Sequence, residues 1–385
     1  MIWLIVGATI PSLLVTWAAA HVVRRLGPRW GLVDHPGHRK VHEKVTPTAG
    51  GLAIWLGIVG PLAAAQVALW VLTAEHDGRP LAASLPLPEF IAVHLPGLAE
   101  QSPTLWTLLA GGTLLALLGL MDDRWGLGWK IRLAVQTLVA VLFVQAGWRV
   151  SLFIDWPLVT GVLSVFWIVG LINSFNMLDN MDGLSAGVAA IAAAMLAAVM
   201  LLAPDPLTNQ PQLFVGGFLL VVTGSLAGFL VHNRPPAKLF MGDTGSYLVG
   251  YLLAMATISA TFAGRDVPKH AVLAPLCVLA VPLYDTLTVV AIRLRNGQSP
   301  FVGDKNHFSH RLVRLGMTKP QAVGTIYLTT ATCGLGALLL HQVNGVGALI
   351  ILLLVGCVLV LVGILETAGQ RDRSGGRDEN GNGQT

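Results

Sequence analysis

Charged side chains are scarce in this chain. Asp, Glu, Lys and Arg make up 11% of its 385 residues, whereas 54% of the residues are hydrophobic. A soluble domain usually carries about 25% charged residues, so the composition excludes an ordinary soluble protein. Apolar runs of about 20 residues recur, the length that an α-helix needs to cross a bilayer. These features predict an all-α, polytopic integral membrane protein, with the membrane and no nucleic acid among its partners.

Cysteine is nearly absent, and the amino terminus lacks the pattern of a removable signal peptide. The three cysteines all lie inside apolar runs, as small core residues do: Cys277, Cys333 and Cys357. The first apolar run begins at Met1 with no basic region before it, and Arg24 and Arg25 follow it. We therefore expect no disulfide framework, and we expect the first run to be retained as a membrane span.

The apolar runs and the distribution of basic residues predict a topology. Eleven spans are predicted, near residues 1–22, 49–73, 104–121, 131–147, 157–173, 184–203, 212–231, 246–264, 270–291, 321–340 and 345–365. Of the 24 Lys and Arg side chains, the loops on one side hold only Arg79, Arg149, Arg265 and Lys269. Because Lys and Arg concentrate in cytoplasmic loops, the amino terminus is predicted outside and the carboxyl terminus inside. We expect one membrane domain over 1–365 and a disordered cytoplasmic tail over 366–385.

Six patches rich in acid, amide or histidine interrupt the apolar sequence. They all fall at predicted cytoplasmic boundaries, at residues 34–44, 122–123, 173–183, 233–246, 285 and 304–311. Ionisable groups at membrane depth are costly and usually mark a functional site. Six such patches on one face predict a single site built from many helices.

Two of the patches are dominated by carboxylates and amides. Asp122 and Asp123 are adjacent, so on a helix they point about 100° apart, and one is expected to turn toward Arg124 or Lys130. A solubilising helix end is the alternative. In the next patch, i,i+3 spacing stacks the oxygens of Asn173, Asn176, Asp179 and Asp182. That column suits a divalent cation or a nucleoside, with Asx capping of the next helix as the alternative.

The remaining patches suit phosphate. Gly242 and Gly245 bracket Asp243 at a predicted helix start, an arrangement that suits phosphate oxygens and a bridging metal, or simple helix capping. The loop at 34–44 is rich in cations, including Arg39 and Lys44, which bind phosphate or merely set topology. His307 and His310 at i,i+3 spacing suit a diphosphate better than zinc, because no cysteine lies near and the other patches supply oxygen donors.

In this order, the patches resemble the polyprenyl-phosphate N-acetylhexosamine-1-phosphate transferase family. The motifs that carry the resemblance are DHPGHRKVH followed by TPTAGG, then MDDRWGL, NSFNMLDNMDGL, FMGDTGS and SPFVGDKNHFSHRL, which together span about residues 30–315. The resemblance implies ten to eleven spans in the inner (cytoplasmic) membrane and an active site that faces the cytoplasm. It also implies transfer of a sugar-1-phosphate from a UDP-N-acetylhexosamine to a polyprenyl phosphate such as undecaprenyl phosphate. UMP would be released, and cell-envelope polysaccharide synthesis would begin.

The resemblance also implies roles for individual residues. The catalytic set would be Asp122, as base for the lipid phosphate, with Asp123, Asp182 and His307. The substrate-binding set would be Arg39, Lys44, Asn173, Asp179, Asn233, His310 and Arg311. Magnesium, with manganese as a substitute, would be held by Asp243 and Asn176.

The sequence departs from the family pattern twice, and other functions remain open. Asn180 replaces the first glycine of the usual DGxDGL, and Ser309 stands where the last motif often has a further histidine. The motifs favour the GlcNAc-1-phosphate branch over phospho-N-acetylmuramoyl-pentapeptide transferase. A transporter or lipid flippase is the alternative of another class, although such proteins carry acids near mid-membrane and often show repeated halves. Small-residue faces at Gly111, Gly112, Gly216 and Gly217 are compatible with a monomer or a homodimer.

Overall fold

A computed structural model describes residues 1–34, 45–76, 79–80, 82, 88–150, 156–203, 205, 210–260, 262, 268–301 and 303–378. Within these ranges the chain forms fourteen α-helices: α1 Ile2–Leu26, α2 Gly50–Thr73, α3 Glu89–Ala92, α4 Leu95–Trp125, α5 Trp129–Gln145, α6 Pro157–Leu178, α7 Leu184–Leu202, α8 Leu213–Asn233, α9 Gly242–Ser259, α10 Ala274–Val278, α11 Ala280–Arg295, α12 Phe308–Arg314, α13 Lys319–Leu339 and α14 Gly345–Asp378. Short 3-10 helices cover Gly27–Trp30 and Lys269–Leu273.

Strand structure is limited, in the described ranges, to two antiparallel pairs of two-residue strands. Val33–Asp34 (β1) pairs with Thr46–Pro47 (β2), and Glu75–His76 (β3) pairs with Arg79–Pro80 (β4). The first pair holds the chain that leaves α1 beside the chain that enters α2. The architecture is therefore the all-α, multi-pass membrane protein that the composition predicts.

Eight of the described helices are long and apolar enough to cross a membrane: α1, α2, α4, α6, α7, α8, α13 and α14 up to Glu366. The segments Lys269–Val278 and Ala280–Arg295 form a ninth span if they are counted together, with a bend of 68° between them. The other two predicted spans correspond to α5, which has 17 residues, and to α9, whose first turn contains Asp243. All eleven predicted spans thus coincide with helical segments.

Helix α9 forms the centre of the bundle. It packs against α4 and α6 most extensively, and also against α2. Thr244 through Tyr251 and on to Ile258 are buried without interruption. A helix that is surrounded by other helices carries little lipid-facing surface, so its polar first turn lies against protein rather than lipid.

Two glycines allow neighbouring helices to touch the first turn of α9. A Cβ atom on Gly119 of α4 would lie 2.4 Å from the backbone oxygen of Asp243. A Cβ atom on Gly51 of α2 would lie 2.2 Å from the backbone nitrogen of Gly245. Because real Cβ atoms do not approach other atoms this closely, only glycine permits these contacts. The start of α9 is therefore clamped between α2 and α4.

The last helix continues past the boundary that the sequence predicts for the tail. Glu366 is buried and its carboxylate is 2.8 Å from the Nε atom of Arg311, and α14 extends to Asp378. A charged residue that follows a long apolar run resembles the start of a tail in sequence, but here it has a buried partner from α12. The helix thus continues past the predicted tail boundary at residue 366, the disordered tail stays a prediction, and residues 379–385 lie outside the described part of the chain.

Candidate active site

A polar cavity of about 500 Å³ lies at the start of α9. Seven aspartates line it, from α4, from α9 and from three of the connecting segments: Asp34, Asp122, Asp123, Asp179, Asp182, Asp243 and Asp304. Asn176, His307 and His310 also line it, whereas its described lining contains neither Lys nor Arg. Such an excess of negative charge favours the binding of cations.

Asp122 is buried and accepts three hydrogen bonds. Its Oδ1 atom accepts from the backbone N–H of Leu127 at 2.7 Å, and its Oδ2 atom accepts from Arg132 and from the Tyr247 hydroxyl, each at 2.8 Å. The expected partners Arg124 and Lys130 are therefore replaced by Arg132. The reason is the turn after α4, where residue 126 adopts the left-handed conformation and α5 then begins, so that Arg132 faces back toward Asp122.

Asp123 caps helix α9. Its Oδ1 atom accepts from the backbone N–H of Asp243 at 2.8 Å. Its Oδ2 atom accepts from the backbone N–H of Thr244 at 3.0 Å and from the Thr244 hydroxyl at 2.7 Å. The first amides of a helix have no partner within the helix, so a carboxylate there supplies the missing acceptor. The adjacent pair predicted from sequence thus divides into Asp122 facing Arg132 and Asp123 holding α9.

Asp243 and Asn176 are in direct contact. The Nδ2 group of Asn176 donates to Oδ1 of Asp243 at 2.5 Å and to the Ser246 hydroxyl at 3.1 Å. Both of these hydrogen bonds use the amide nitrogen, so the Asn176 Oδ1 atom is the one that suits a cation. Arg132 reaches to 4.0 Å from Asp243 Oδ2. The predicted metal pair is therefore brought together at one place in the cavity.

Asp179 and Asp182 lie in the short segment between α6 and α7. Burial raises the pKa of the Asp179 carboxyl to about 7, and the neighbouring carboxylates of Asp123 and Asp182 add to this effect. Asp182 Oδ2 accepts from the backbone N–H of Ala237 at 2.9 Å and so joins this segment to the one before α9. Both carboxyls line the cavity, as the sequence predicts.

The histidine segment forms another wall of the cavity. His307 Nδ1 is 2.8 Å from Oδ2 of Asp285, a fully buried carboxylate of α11. His310 lies close by, with its ring centroid 6.3 Å from that of His307. Burial lowers the pKa of His310 to about 4, and His307 contributes to this shift, so the His310 ring is neutral at pH 7.

The chain is similar to known proteins over most of its length. Residues 105–261 match the family described as Glycosyl transferase family 4. Over 363 residues the chain is 32% identical to the decaprenyl-phosphate N-acetylglucosaminephosphotransferase of Mycobacterium tuberculosis (strain CDC 1551 / Oshkosh), covering 86% of this chain and 81% of that protein. The chain belongs to the polyprenyl-phosphate N-acetylglucosamine-1-phosphate transferase family. The motifs from which the sequence predicts this family supply most of the cavity wall.

Two further members of the family are similar over most of their length. A probable undecaprenyl-phosphate N-acetylglucosaminyl 1-phosphate transferase of Bacillus subtilis (strain 168) is 29% identical over 347 residues, covering 88% of this chain and 85% of that protein. The undecaprenyl-phosphate alpha-N-acetylglucosaminyl 1-phosphate transferase of Escherichia coli (strain K12) is 28% identical over 321 residues, covering 80% and 76%. The similarity thus includes nearly the whole membrane body.

Three residues predicted to bind substrate make hydrogen bonds within the protein. Asn173 donates to Gln136 of α5 and to the Val169 carbonyl, one turn deeper than Asn176, and it does not line the cavity. Asn233 lines the cavity, but its Oδ1 atom accepts from the backbone N–H of Gly183 and its Nδ2 group donates to the Leu239 carbonyl. These hydrogen bonds give Asn173 a role in packing and Asn233 a role in loop positioning, and their predicted substrate contacts stay predictions.

Arg311 is the third of these residues. It is buried, and its guanidinium donates to Glu366, to the Asn306 carbonyl and to the Thr288 hydroxyl. It does not line the cavity and instead fixes the histidine segment to α11 and α14. Arg39 and Lys44 lie outside the described residues, so their predicted phosphate contacts stay predictions.

The two departures from the family pattern touch each other. The Ser309 hydroxyl donates to Oδ1 of Asn180 at 2.5 Å, which joins the histidine segment to the Asp179–Asp182 segment. Arg132 and Tyr247 both contact Asp122, and the sequence-based prediction did not include either of them. Both follow a recognised motif by a few residues, and that proximity is the signal by which they could have been found.

Proposed function

We propose that this protein transfers N-acetylglucosamine-1-phosphate from UDP-N-acetylglucosamine to a polyprenyl phosphate and releases UMP. The observation that carries the proposal is the aspartate-lined cavity at the start of α9, built largely from the motifs by which the sequence resembles the family. The names of the similar proteins from B. subtilis, M. tuberculosis and E. coli support the sugar and the lipid class. The membrane helices around the cavity suit an acceptor with a long apolar chain.

The donor set suits magnesium, with manganese as a substitute. Asp243 and the Oδ1 atom of Asn176 are hard oxygen donors, which both ions prefer. Among the described residues no group of three or more His, Cys, Asp or Glu side chains is arranged to hold a metal alone. Magnesium commonly uses one or two carboxylates together with substrate phosphates, so this sparse set fits. Bound there, the ion would neutralise charge on the diphosphate.

The protein's own groups would position the two phosphates. A phosphate monoester is largely dianionic at pH 7, so the lipid phosphate needs little help from a base. Both oxygens of Asp122 already accept hydrogen bonds, and one of these donors is Arg132. We infer that Asp122 chiefly holds Arg132 beside Asp243, where the guanidinium can contact a phosphate oxygen. His310, neutral at pH 7, would contribute a hydrogen bond without adding charge.

In the proposed topology the protein has eleven spans in the inner (cytoplasmic) membrane. Its amino terminus is outside, and the cavity opens to the cytoplasm. The helices that match the eleven predicted spans support the count, and the concentration of Lys and Arg on one side supports the orientation. The cavity residues all belong to segments on that basic side. A transporter would instead be expected to carry such acids near mid-membrane.

Release of UMP tests the proposal. Purified protein would be incubated with undecaprenyl phosphate, magnesium and one of three donors: UDP-GlcNAc, UDP-GalNAc or UDP-MurNAc-pentapeptide. We expect release of UMP, fastest with UDP-GlcNAc, and no release when the lipid phosphate is omitted. Fastest turnover of UDP-MurNAc-pentapeptide would move the protein to the peptidoglycan branch. Absence of UMP with every donor would defeat the transferase proposal and favour the transporter alternative.

A further inference from the structure

Asp285 is a fully buried carboxylate that does not line the cavity. It lies on α11 and makes hydrogen bonds to two consecutive residues of the histidine segment. Its Oδ2 atom is 2.8 Å from His307 Nδ1, and its Oδ1 atom accepts from the backbone N–H of Phe308 at 2.5 Å. Both carboxylate oxygens are therefore directed at the point where α12 begins.

A buried carboxylate is costly unless its oxygens are satisfied, so this arrangement requires a proton on His307 Nδ1. An imidazole nitrogen without a proton would place a lone pair against the carboxylate oxygen. With Nδ1 bound in the interior, Nε2 is the ring nitrogen left to face the cavity that His307 lines. The contact to the Phe308 amide fixes the backbone beside the ring, so that the ring position and its tautomer are set together.

We propose that Asp285 is a positioning residue, which holds His307 in the Nδ1–H form and directs Nε2 at the phosphate oxygens of the sugar nucleotide. This inference rests on the proposed function for the identity of the ligand. A carboxylate behind a histidine controls both the ring orientation and which nitrogen carries the proton. Asp285 acts through His307 and touches no substrate itself.

The protonation of His307 provides a test that does not depend on turnover. Nitrogen NMR of protein labelled in its histidines would be compared with the same spectrum of His307→Gln, which identifies the His307 signals. We expect Nδ1 of His307 to carry a proton in the unmodified protein. In Asp285→Asn the new amide can donate to Nδ1, so the proton should move to Nε2. An unprotonated Nδ1 in the unmodified protein would overturn the inference.

A double-mutant cycle tests the consequence for the reaction. Asp285→Asn should lower kcat/KM for UMP release by about 10–100-fold, the usual effect of removing a carboxylate behind a functional histidine. In a His307→Gln background, Asp285→Asn should lower kcat/KM by less than about threefold, because the imidazole that Asp285 positions is no longer there. Thr286→Val is the matched control, since the Thr286 hydroxyl is buried on the same helix and has no hydrogen-bond partner among the described residues. It should stay within about twofold of the unmodified protein.

The outcomes separate this inference from the proposed function. If the unmodified protein releases no UMP, the proposed function fails, whereas the NMR result still decides the role of Asp285. If the protein is active and Asp285→Asn lowers kcat/KM by the same factor with and without His307, Asp285 only stabilises the fold and the inference is wrong. An Asp285→Asn variant that keeps full activity would also contradict it.

Discussion

Replacement of Gly119 by alanine should damage the active site while leaving the membrane bundle assembled. A Cβ atom at this position would lie 2.4 Å from the Asp243 backbone oxygen and 2.4 Å from the Thr244 backbone nitrogen. Ordinary contacts begin near 3.4 Å, so the two helices must separate locally by about 1 Å. The atoms in the way are backbone atoms of the first turn of α9, which cannot rotate aside. The displaced turn carries Asp243.

The structure sets the size of the expected effects. Overpacking of this kind costs about 1–3 kcal/mol of stability. A displacement of about 1 Å at a site that positions reacting groups can reduce the rate about 100-fold. We therefore expect Gly119→Ala to be produced in folded form, with a lower apparent melting temperature and kcat for UMP release reduced about 100-fold. Detergent-purified protein in a UMP-release assay and a thermal melt would measure both quantities.

Gly112→Ala is the matched control, because Gly112 faces the same helix two turns earlier. The nearest atoms to a Cβ atom there would be the side-chain ends of Leu248 at 3.0 Å and Leu252 at 3.2 Å, which can adjust, and the Tyr251 ring at 3.5 Å, which is an ordinary contact distance. We expect this variant to keep kcat within about threefold even if its melting temperature falls slightly. Equal kcat in Gly119→Ala and the unmodified protein would refute the placement of the catalytic centre at the α4–α9 contact.

Three further predictions concern individual side chains. The pKa of the Asp179 carboxyl is about 7 in the folded protein and near 3.9 in an unfolded chain. Between these pH values the folded state binds more protons than the unfolded state, so the protein loses stability as pH rises through 7. Asp179→Asn should therefore raise the melting temperature of metal-free protein more at pH 8 than at pH 5. Asn180→Gly and Ser309→Ala should be non-additive by about 0.5–3 kcal/mol in chemical denaturation, because their side chains share one hydrogen bond. Glu366→Ala should destabilise the protein by about 3–5 kcal/mol in the same assay, because it leaves Arg311 buried without its carboxylate.

Each of these predictions has a result that would contradict it. A melting-temperature gain for Asp179→Asn that is equal at both pH values would show that this carboxyl titrates normally. Additive effects of Asn180→Gly and Ser309→Ala would remove the connection between the two segments. Loss of less than about 1 kcal/mol in Glu366→Ala would mean that the end of α14 is not anchored through Arg311.

The sequence predicted the helices because apolar length is a local property. Every predicted span coincides with a helical segment, and local sequence gave no indication that Glu366, after the last apolar run, has a buried partner on another helix. The convergence of Asp122, Asp179 and Asp243 could also be predicted, because all the acidic patches lie at one membrane face. What sequence reasoning could not provide is the identity of each hydrogen-bond partner.

Those partners depend on contacts between residues far apart in the chain. The Asp123 carboxylate accepts a hydrogen bond from the backbone N–H of Asp243, 120 residues away in the chain, and no spacing rule indicates this contact. Arg311 and Asn233 resemble ligand-binding groups in sequence, but the structure satisfies them internally. A polar residue in an apolar sequence signals a polar environment, and only the folded arrangement shows whether substrate or protein provides it.

Binding of one divalent ion between Asp243 and Asn176 is the central claim of this account, and manganese provides a direct measurement. Electron paramagnetic resonance would count Mn²⁺ bound to the purified protein with UDP-GlcNAc present. Asp243→Asn serves as the comparison, because its amide oxygen can still accept the hydrogen bond from Asn176 and so preserve the fold. We expect one bound ion in the unmodified protein, and loss of both that ion and nearly all turnover in the variant. Equal Mn²⁺ binding and equal turnover in the two proteins would contradict the assignment.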